Sequence, residues 1–226
     1  ISGTASFNST SNAITDSGTL AITGVTTLNS GSADITLNEA SSTFGTLVLT
    51  GANVAVTDAG AADLGVSTVS GTFGMTSGGA ITDSGTLAVT GDATFTNTSG
   101  SNDAITLDDA SNAFAGTVTF ATDSGSAVTI VDTTALDLKA LSAASLSVTA
   151  GGAVTDSGTL AISGATTLNS GSADLTLDQS ASTFGTLAIT GANVAVTENA
   201  AMDLGASTIS GTASFNSTSN AITDSG

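Results

Sequence analysis

Residues 18–24 read GTLAITG, and the reading of this heptapeptide decides the fold. In an extended chain Leu20 and Ile22 point to one side, while Thr19, Ala21 and Thr23 point to the other. A glycine closes the run at each end. Apolar residues with period two, bounded by turn residues, specify a short strand and not a helix. The same alternation returns in ADITL (33–37), TLVLTG (46–51) and NVAVTD (53–58). No segment carries a sustained 3.6-residue apolar stripe. The nearest approach is ALDLKALSAASL (135–146), which reads as a variant of the same strand pattern.

These strands recur in a larger frame. TDSGTLA begins at Thr15, Thr82 and Thr155, and TDSG returns at Thr223, so successive steps along the chain are 67, 73 and 68. ISGTASFNSTSNAITDSG occupies 1–18 and again 209–226, a 208-residue offset. Residues 15–74 and 155–214 differ at 17 of 60 aligned positions, and the apolar exchanges keep their character (Ile35 to Leu175, Leu49 to Ile189, Val69 to Ile209). The chain therefore divides into sub-repeats 13–79, 80–152 and 153–220. Each splits into three units of 20–28 residues, such as 13–32, 33–52 and 53–79. Tandem units of this length, each made of short strands, are the coils of a solenoid.

A single coil cannot bury its apolar face. Stacking at the inter-strand spacing gives each strand two parallel neighbours and closes a core. Parallel crossovers are right-handed, so the expectation is an all-β, right-handed parallel β-helix over 1–226, with about three coils per block and no terminal caps. Nine coils at about 4.8 Å make the 208-residue period roughly 43 Å. The core expected is Leu20, Ile22, Leu28, Ile35, Leu37, Phe44, Leu47, Leu49, Val54, Val56 and their counterparts. Phe44, Phe114 and Phe184 recur at a constant 70-residue step, three coils on this count, so each ring is expected to pack on aliphatics of adjacent coils. Phe7 and Phe215 are assigned one core position, Ile14 and Ile222 another. A chain terminus would need a polar cap, so both end faces are expected to be covered by further copies of the repeat.

Composition agrees. Forty per cent of the residues are hydrophobic, with Val, Ile, Leu and Thr at short intervals, which argues for order over disorder. Proline, absent here, would delete a ladder donor in a mid-solenoid strand. Asn and Gly in LNSG (28–31) and GAN (51–53) suit corners. A net charge of −18, with Lys139 the sole Lys or Arg, argues against nucleic acid and anionic membrane surfaces, where phosphate must be neutralised. No run of eighteen apolar residues suggests a membrane span. The lack of cysteine fits a secreted protein that does not rest on disulfides. With Ile at position 1 and no signal peptide, the sequence reads as an internal segment.

Tandem, cysteine-free coils rich in Thr, Ser, Gly and Asn resemble the repeat regions of giant secreted bacterial β-solenoid proteins: filamentous-haemagglutinin-like exoproteins and large repeat adhesins or matrix fibre proteins. The resemblance covers the whole chain and rests on pattern. The unequal 67/73/68 spacing departs from the shorter, more uniform haemagglutinin coils. It implies an extracellular or cell-surface location.

Chemistry is sparse. Without His or Arg, the nucleophilic triads and the basic residues of β-helix lyases are missing. A hydrolase needs two carboxylates at a set separation, and Asp103, Asp108 and Asp109 are the densest set, although turns use Asp routinely. No cofactor and no enzyme activity are expected. The carboxylates do align, coil by coil, as Asp16, Glu39, Asp58, Asp83, Asp108/Asp109, Asp132, Asp156, Asp178 and Glu198. Neighbours about 5 Å apart repel by about 1 kcal/mol in water. The column reads as a solvated acidic edge, with calcium as the one metal that would bridge it. Outward threonines form a second column: Thr19-Ala21-Thr23, Thr86-Ala88-Thr90, Thr159-Ala161-Ser163 and Thr186-Ala188-Thr190. This reads as an exposed β face, then as a face for lateral packing between rods, and last as an ice-ordering surface. The function expected is a structural segment of a long extracellular fibre, joined end to end with further copies and able to associate sideways. A calcium-, glycan- or ice-binding solenoid is the alternative, and a glycan-active β-helix a remote one.

Overall fold

The computed structural model describes residues 1–218 and 220–226. They form an all-β solenoid without helix. Every strand pairing is parallel, and each joins a strand to one on the next turn. A second sheet of eleven strands, one per turn, runs from Ile14–Thr15 to Ala213–Ser217. A first sheet of sixteen strands covers the opposite side, from Ala5–Asn8 to Ile222–Asp224. A short third side carries Leu141–Ala143 paired with Leu160–Ile162, and the bridges Ala21 to Thr43 and Ala161 to Thr183. No helix among the described residues is long and apolar enough to cross a membrane.

Inward side chains fill the space between the sheets. Ile22, Leu28, Ile35, Leu37, Phe44, Leu47, Leu49, Phe114 and Phe184 are buried, as are Val54 and Val56. Leu20, in the first turn, is only half-buried. Register lines up like with like: Phe7, Leu28 and Leu49 stack in the first sheet, and Ile14, Ile35 and Val54 in the second. The segment 135–146 is strand, in Leu136–Leu138 and Leu141–Ala143, and extends the stacked ladders. The middle of the rod holds an aromatic cluster. Phe95 lies 5.5 Å from Phe73, 5.7 Å from Phe120 and 6.0 Å edge-on from Phe114. Phe114 thus packs on a ring of the preceding turn and not on aliphatics alone, because block two places Phe95 where block one has Leu28.

The turn count differs from nine. Val154–Asp156 lies seven strands beyond Ile14–Thr15 in the second sheet, and Ile222–Asp224 seven beyond Ile81–Asp83 in the first. Blocks one and three are therefore seven turns apart, and each block spans three and a half. TDSG falls in the second sheet at Thr15, the first at Thr82, the second at Thr155 and the first at Thr223. Equivalent strands alternate in the same way. Thr26–Asn29 is in the first sheet, Ala93–Asn97 in the second and Ala165–Asn169 in the first. Phe7 and Phe215, assigned one position above, lie in opposite sheets, as do Ile14 and Ile222.

The extra half-turn sits in the third unit of each block. Residues 53–79 hold Val54–Asp58 in the second sheet, Ala62–Leu64 and Ser67–Val69 in the first, and Phe73–Ser77 back in the second. That is one and a half turns. Turn length varies too much for counting along the sequence. Leu47 pairs with Leu64 across a 17-residue turn, while Ala93 pairs with Val118 across a 25-residue one. The 208-residue period is thus ten and a half turns, or about 50 Å.

Where the chain passes between sides, glycines stack directly. A Cβ on Gly91 would lie 2.6 Å from the carbonyl oxygen of Gly71, and one on Gly116 2.4 Å from that of Gly91. Gly24 over Gly3, Gly45 over Gly24 and Gly185 over Gly164 repeat the contact. These backbones approach too closely for any side chain. Gly91→Ala should therefore destabilise the rod by about 2 kcal/mol or more, in the range of an overpacked core. Gly18→Ala, whose Cβ meets nothing within 4 Å, should leave the melting temperature unchanged; thermal denaturation followed by circular dichroism checks both.

Candidate functional site: the acidic corners

The carboxylate column divides into three runs that change sides with the half-turn. Asp16, Glu39 and Asp58 follow strands of the second sheet. Asp83, Asp108, Asp109 and Asp132 follow strands of the first, and Asp156, Asp178 and Glu198 return to the second. Among the described residues the ten carboxylates do not form one continuous edge. Among the described residues, no three acidic side chains converge as a metal cage.

Each run builds the same corner over three turns. In the first tier a carboxylate accepts backbone N–H groups from the turn that follows. Asp16 accepts from Asn38 and Glu39 (3.1 and 3.4 Å), Asp83 from Asp108 and Asp109 (2.8 and 3.3 Å), and Asp156 from Asp178 (2.8 Å). In the second tier the Ser42, Asn112 and Ser182 side chains accept the N–H of Leu20, Leu87 and Leu160 on the preceding turn, at 3.0, 2.7 and 3.0 Å. In the third tier Asp58, Asp132 and Glu198 accept the N–H of Phe44, Phe114 and Phe184, at 3.3, 3.3 and 3.0 Å. The residue after each of these acids donates its N–H to the carbonyl of Ser42, Asn112 or Ser182. Where the bulging corner takes backbone N–H groups out of the ladder, carboxylate, hydroxyl and, at Asn112, carboxamide oxygens satisfy them. A carboxylate suits this because it accepts without needing an acceptor in return.

Four of the ten carboxylates are not solvated, whereas Asp108 and Asp178 are exposed and Asp16, Glu39, Asp83 and Asp109 are half-buried. Asp58, Asp132 and Glu198 are buried, at 1%, 1% and 0% exposure, and Asp156 is 7% exposed. Burial pushes all four carboxyls above their ordinary values against the lowering effect of the N–H bonds. Asp156 reaches about 6, with the Asp178 carboxylate adding to the rise. Asp132 Oδ2, Asp156 Oδ2 and Glu198 Oε1 are buried without a hydrogen-bond partner.

Asn112 donates its Nδ2–H to Asp83 Oδ2 at 2.6 Å while accepting from Leu87. Ser182 stands at the equivalent position beside Asp156 and accepts the Leu160 N–H, and Asp156 Oδ2 has no partner; Asp16 Oδ2, beside Ser42, accepts the Glu39 N–H at 3.4 Å. The Ser/Asn position escaped the sequence reading because Ser looks like ordinary corner composition. Its 70-residue recurrence beside each TFG or AFA was the available signal.

The threonine triplets do not share one face. Thr19 and Thr23 flank Ala21 on the short third side, and Thr159 and Ser163 flank Leu160–Ile162 there. Thr86 and Thr90 bracket Leu87–Val89 of the first sheet, and Thr186 and Thr190 belong to Thr186–Gly191, also of the first. Thr86 donates its hydroxyl to Asp109 and Thr186 its own to Asp203. The half-turn disperses what the sequence aligns. Asp103, the remaining member of the dense acidic set, gives its carbonyl to Asn97 Nδ2 at 3.0 Å.

Other polar ladders were not singled out in the sequence. Asn53 donates to Asp34 and accepts from Thr72, and Asn193 does the same between Asp174 and Thr212. Asp63 accepts from Thr46 and Ser84, and Asp203 from Thr186, Thr223 and Ser225. Block two has a shallow groove beside Asp92 and Asp137, where Asp92 takes both the N–H and hydroxyl of Thr117 at 2.9 Å. These bonds hold the Asp92 carboxyl below its ordinary value, with Lys139 contributing least.

The geometry defines a β-solenoid repeat protein whose polar side chains are spent on joining turns. The family of "Repeats of unknown function (DUF5649)" matches residues 1–50, 51–121, 125–190 and 191–226, and the chain belongs to it. Its units starting at 51 and 191 begin at the last residue of equivalent strands of the first sheet, Thr46–Gly51 and Thr186–Gly191, which stand seven turns apart. No curated protein and no solved structure matches the chain.

An acid whose pKa is raised by folding binds more protons folded than unfolded. Its stabilising contribution is complete below the unfolded value, 3.8 for Asp156, and is lost as pH rises through about 6. That difference is on the order of 3 kcal/mol for Asp156. The melting temperature should fall from pH 4 to pH 7. Ser182→Asn, which supplies the donor that Asp83 receives, should flatten that fall and raise the melting temperature at pH 7; no change in slope would refute the role given to the missing donor.

Proposed function

We propose that the chain is a length of a stiff extracellular repeat fibre, an adhesin stalk or a filament of a biofilm matrix, sheath or surface layer. The observation that carries this reading is the rebuilding of one three-tier corner in every block, with each turn paired to the next throughout. Such a chain gains length by adding turns, without a new core design. The reading asks for no catalytic group and no cofactor. Its task is mechanical, and the acidic surface keeps the rod soluble.

Proteins of one and two 208-residue periods test it. The second period should lengthen the particle by about 50 Å at constant cross-section, from ten and a half turns at about 4.8 Å, measured by small-angle scattering. A globular increase in size would overturn the fibre. Antibodies to the rod should label intact cells of the source organism; labelling only after lysis would overturn the extracellular placement.

A further inference from the structure

The two copies of ISGTASFNSTSNAITDSG are identical in sequence and opposite in place. Ala5–Asn8 pairs in the first sheet and Ala213–Ser217 in the second. Ile14–Thr15 is in the second and Ile222–Asp224 in the first. The cause is arithmetic and not local distortion, since three blocks of three and a half turns leave a half-turn over. Outward residues follow the strands. Thr15, Ser6 and their copies Thr223 and Ser214 therefore face opposite sides of the rod.

We infer that, in a chain continuing this repeat, successive 208-residue periods are turned half a revolution about the rod axis. Every surface feature then appears on alternating sides, and the structural period is two sequence periods. This rests on the fibre reading, because it concerns a chain in which the repeat goes on. Two periods hold twenty-one turns, about 100 Å, before any residue returns to its own side.

The same alternation operates within one period and gives the display its pattern. An outward carboxylate stands between two threonines on successive turns in each block. Thr46, Asp63 and Thr82 are in register on the first sheet; Thr117, Asp137 and Thr155 on the second; Thr186, Asp203 and Thr223 on the first again. The column thus recurs every three and a half turns, about 17 Å, on opposite sides. A repeat of whole turns would put all copies in one row and leave the other side different. This one makes the two broad sides equivalent after a shift along the axis. Whatever such a rod presents, it presents in two opposed, staggered rows.

The test uses a two-period protein with cysteine replacing Thr155 and its copy one 208-residue period on, each labelled with a maleimide gold cluster and imaged by electron microscopy. Thr155 is exposed, and the chain has no cysteine of its own. The expected result is two clusters on opposite sides of the rod, about 50 Å apart along it. Clusters on the same side of an extended rod would overturn the inference and leave the fibre standing. A compact particle would overturn both. In a single period, Thr15→Cys with Thr155→Cys should place two clusters on one side, about 34 Å apart; opposite sides there would refute the seven-turn spacing without reference to the fibre.

Discussion

Parallel pairing of each turn with the next is the constraint on which everything else in this protein depends. A turn in the middle of the rod offers all its strand N–H and C=O groups to two neighbours, so nothing along the axis varies independently. An inward residue must pack on those above and below, as Phe7, Leu28 and Leu49 do in one ladder. A backbone that changes side must clear the same change one turn away, and Gly71, Gly91 and Gly116 are stacked because no Cβ fits between them. A bulge that removes N–H groups from the ladder must be repaired by side chains of adjacent turns, and the three-tier corners do this.

That repair explains an acidic, cation-poor composition better than solubility alone. Carboxylates are efficient acceptors for converging N–H groups, but inside the corner they lose solvation. Asp58, Asp132 and Glu198 each hold a Phe N–H while buried almost completely, and burial outweighs the bond in setting their protonation. The balance differs between blocks by single residues. Asn112 completes the shell of Asp83, while Asp156 Oδ2 has no partner. Block two has diverged most in sequence, with Phe95 and Phe120 joining Phe73 and Phe114 in a ring cluster and a 25-residue turn between Ala93 and Val118. Its corner geometry is nonetheless that of its neighbours. Packing drifts more readily than the corner, because apolar side chains exchange volume while N–H groups need an acceptor in one place.

Much of this was legible in the chain. Alternation in GTLAITG and TLVLTG identifies strands and inward faces, because side-chain direction in an extended chain is fixed by parity alone. The recurrence of TDSG identifies a tandem architecture, and units too small to bury their own core require stacking. The inward placement of Asp58, Asp132 and Glu198 was equally within reach, since each stands at even spacing from Val54, Val128 and Val194. Composition misdirected that reading, because acids are expected outside.

Sequence by itself determined that this protein is a β-solenoid, which residues form its core and that its blocks repeat. Those properties follow from local periodicity and from the inability of one coil to bury its own face. Only the tertiary structure decided how many turns a block contains, and so which side of the rod each residue occupies. A 17-residue turn joins Leu47 to Leu64 and a 25-residue turn joins Ala93 to Val118, since corners absorb insertions without disturbing the ladders. Only the pairing register, from Ile14 with Ile35 through to Val196 with Phe215, counts turns. It returns a half-integer for each block. The aligned columns of threonine and carboxylate in the sequence become alternating positions on two opposite sides.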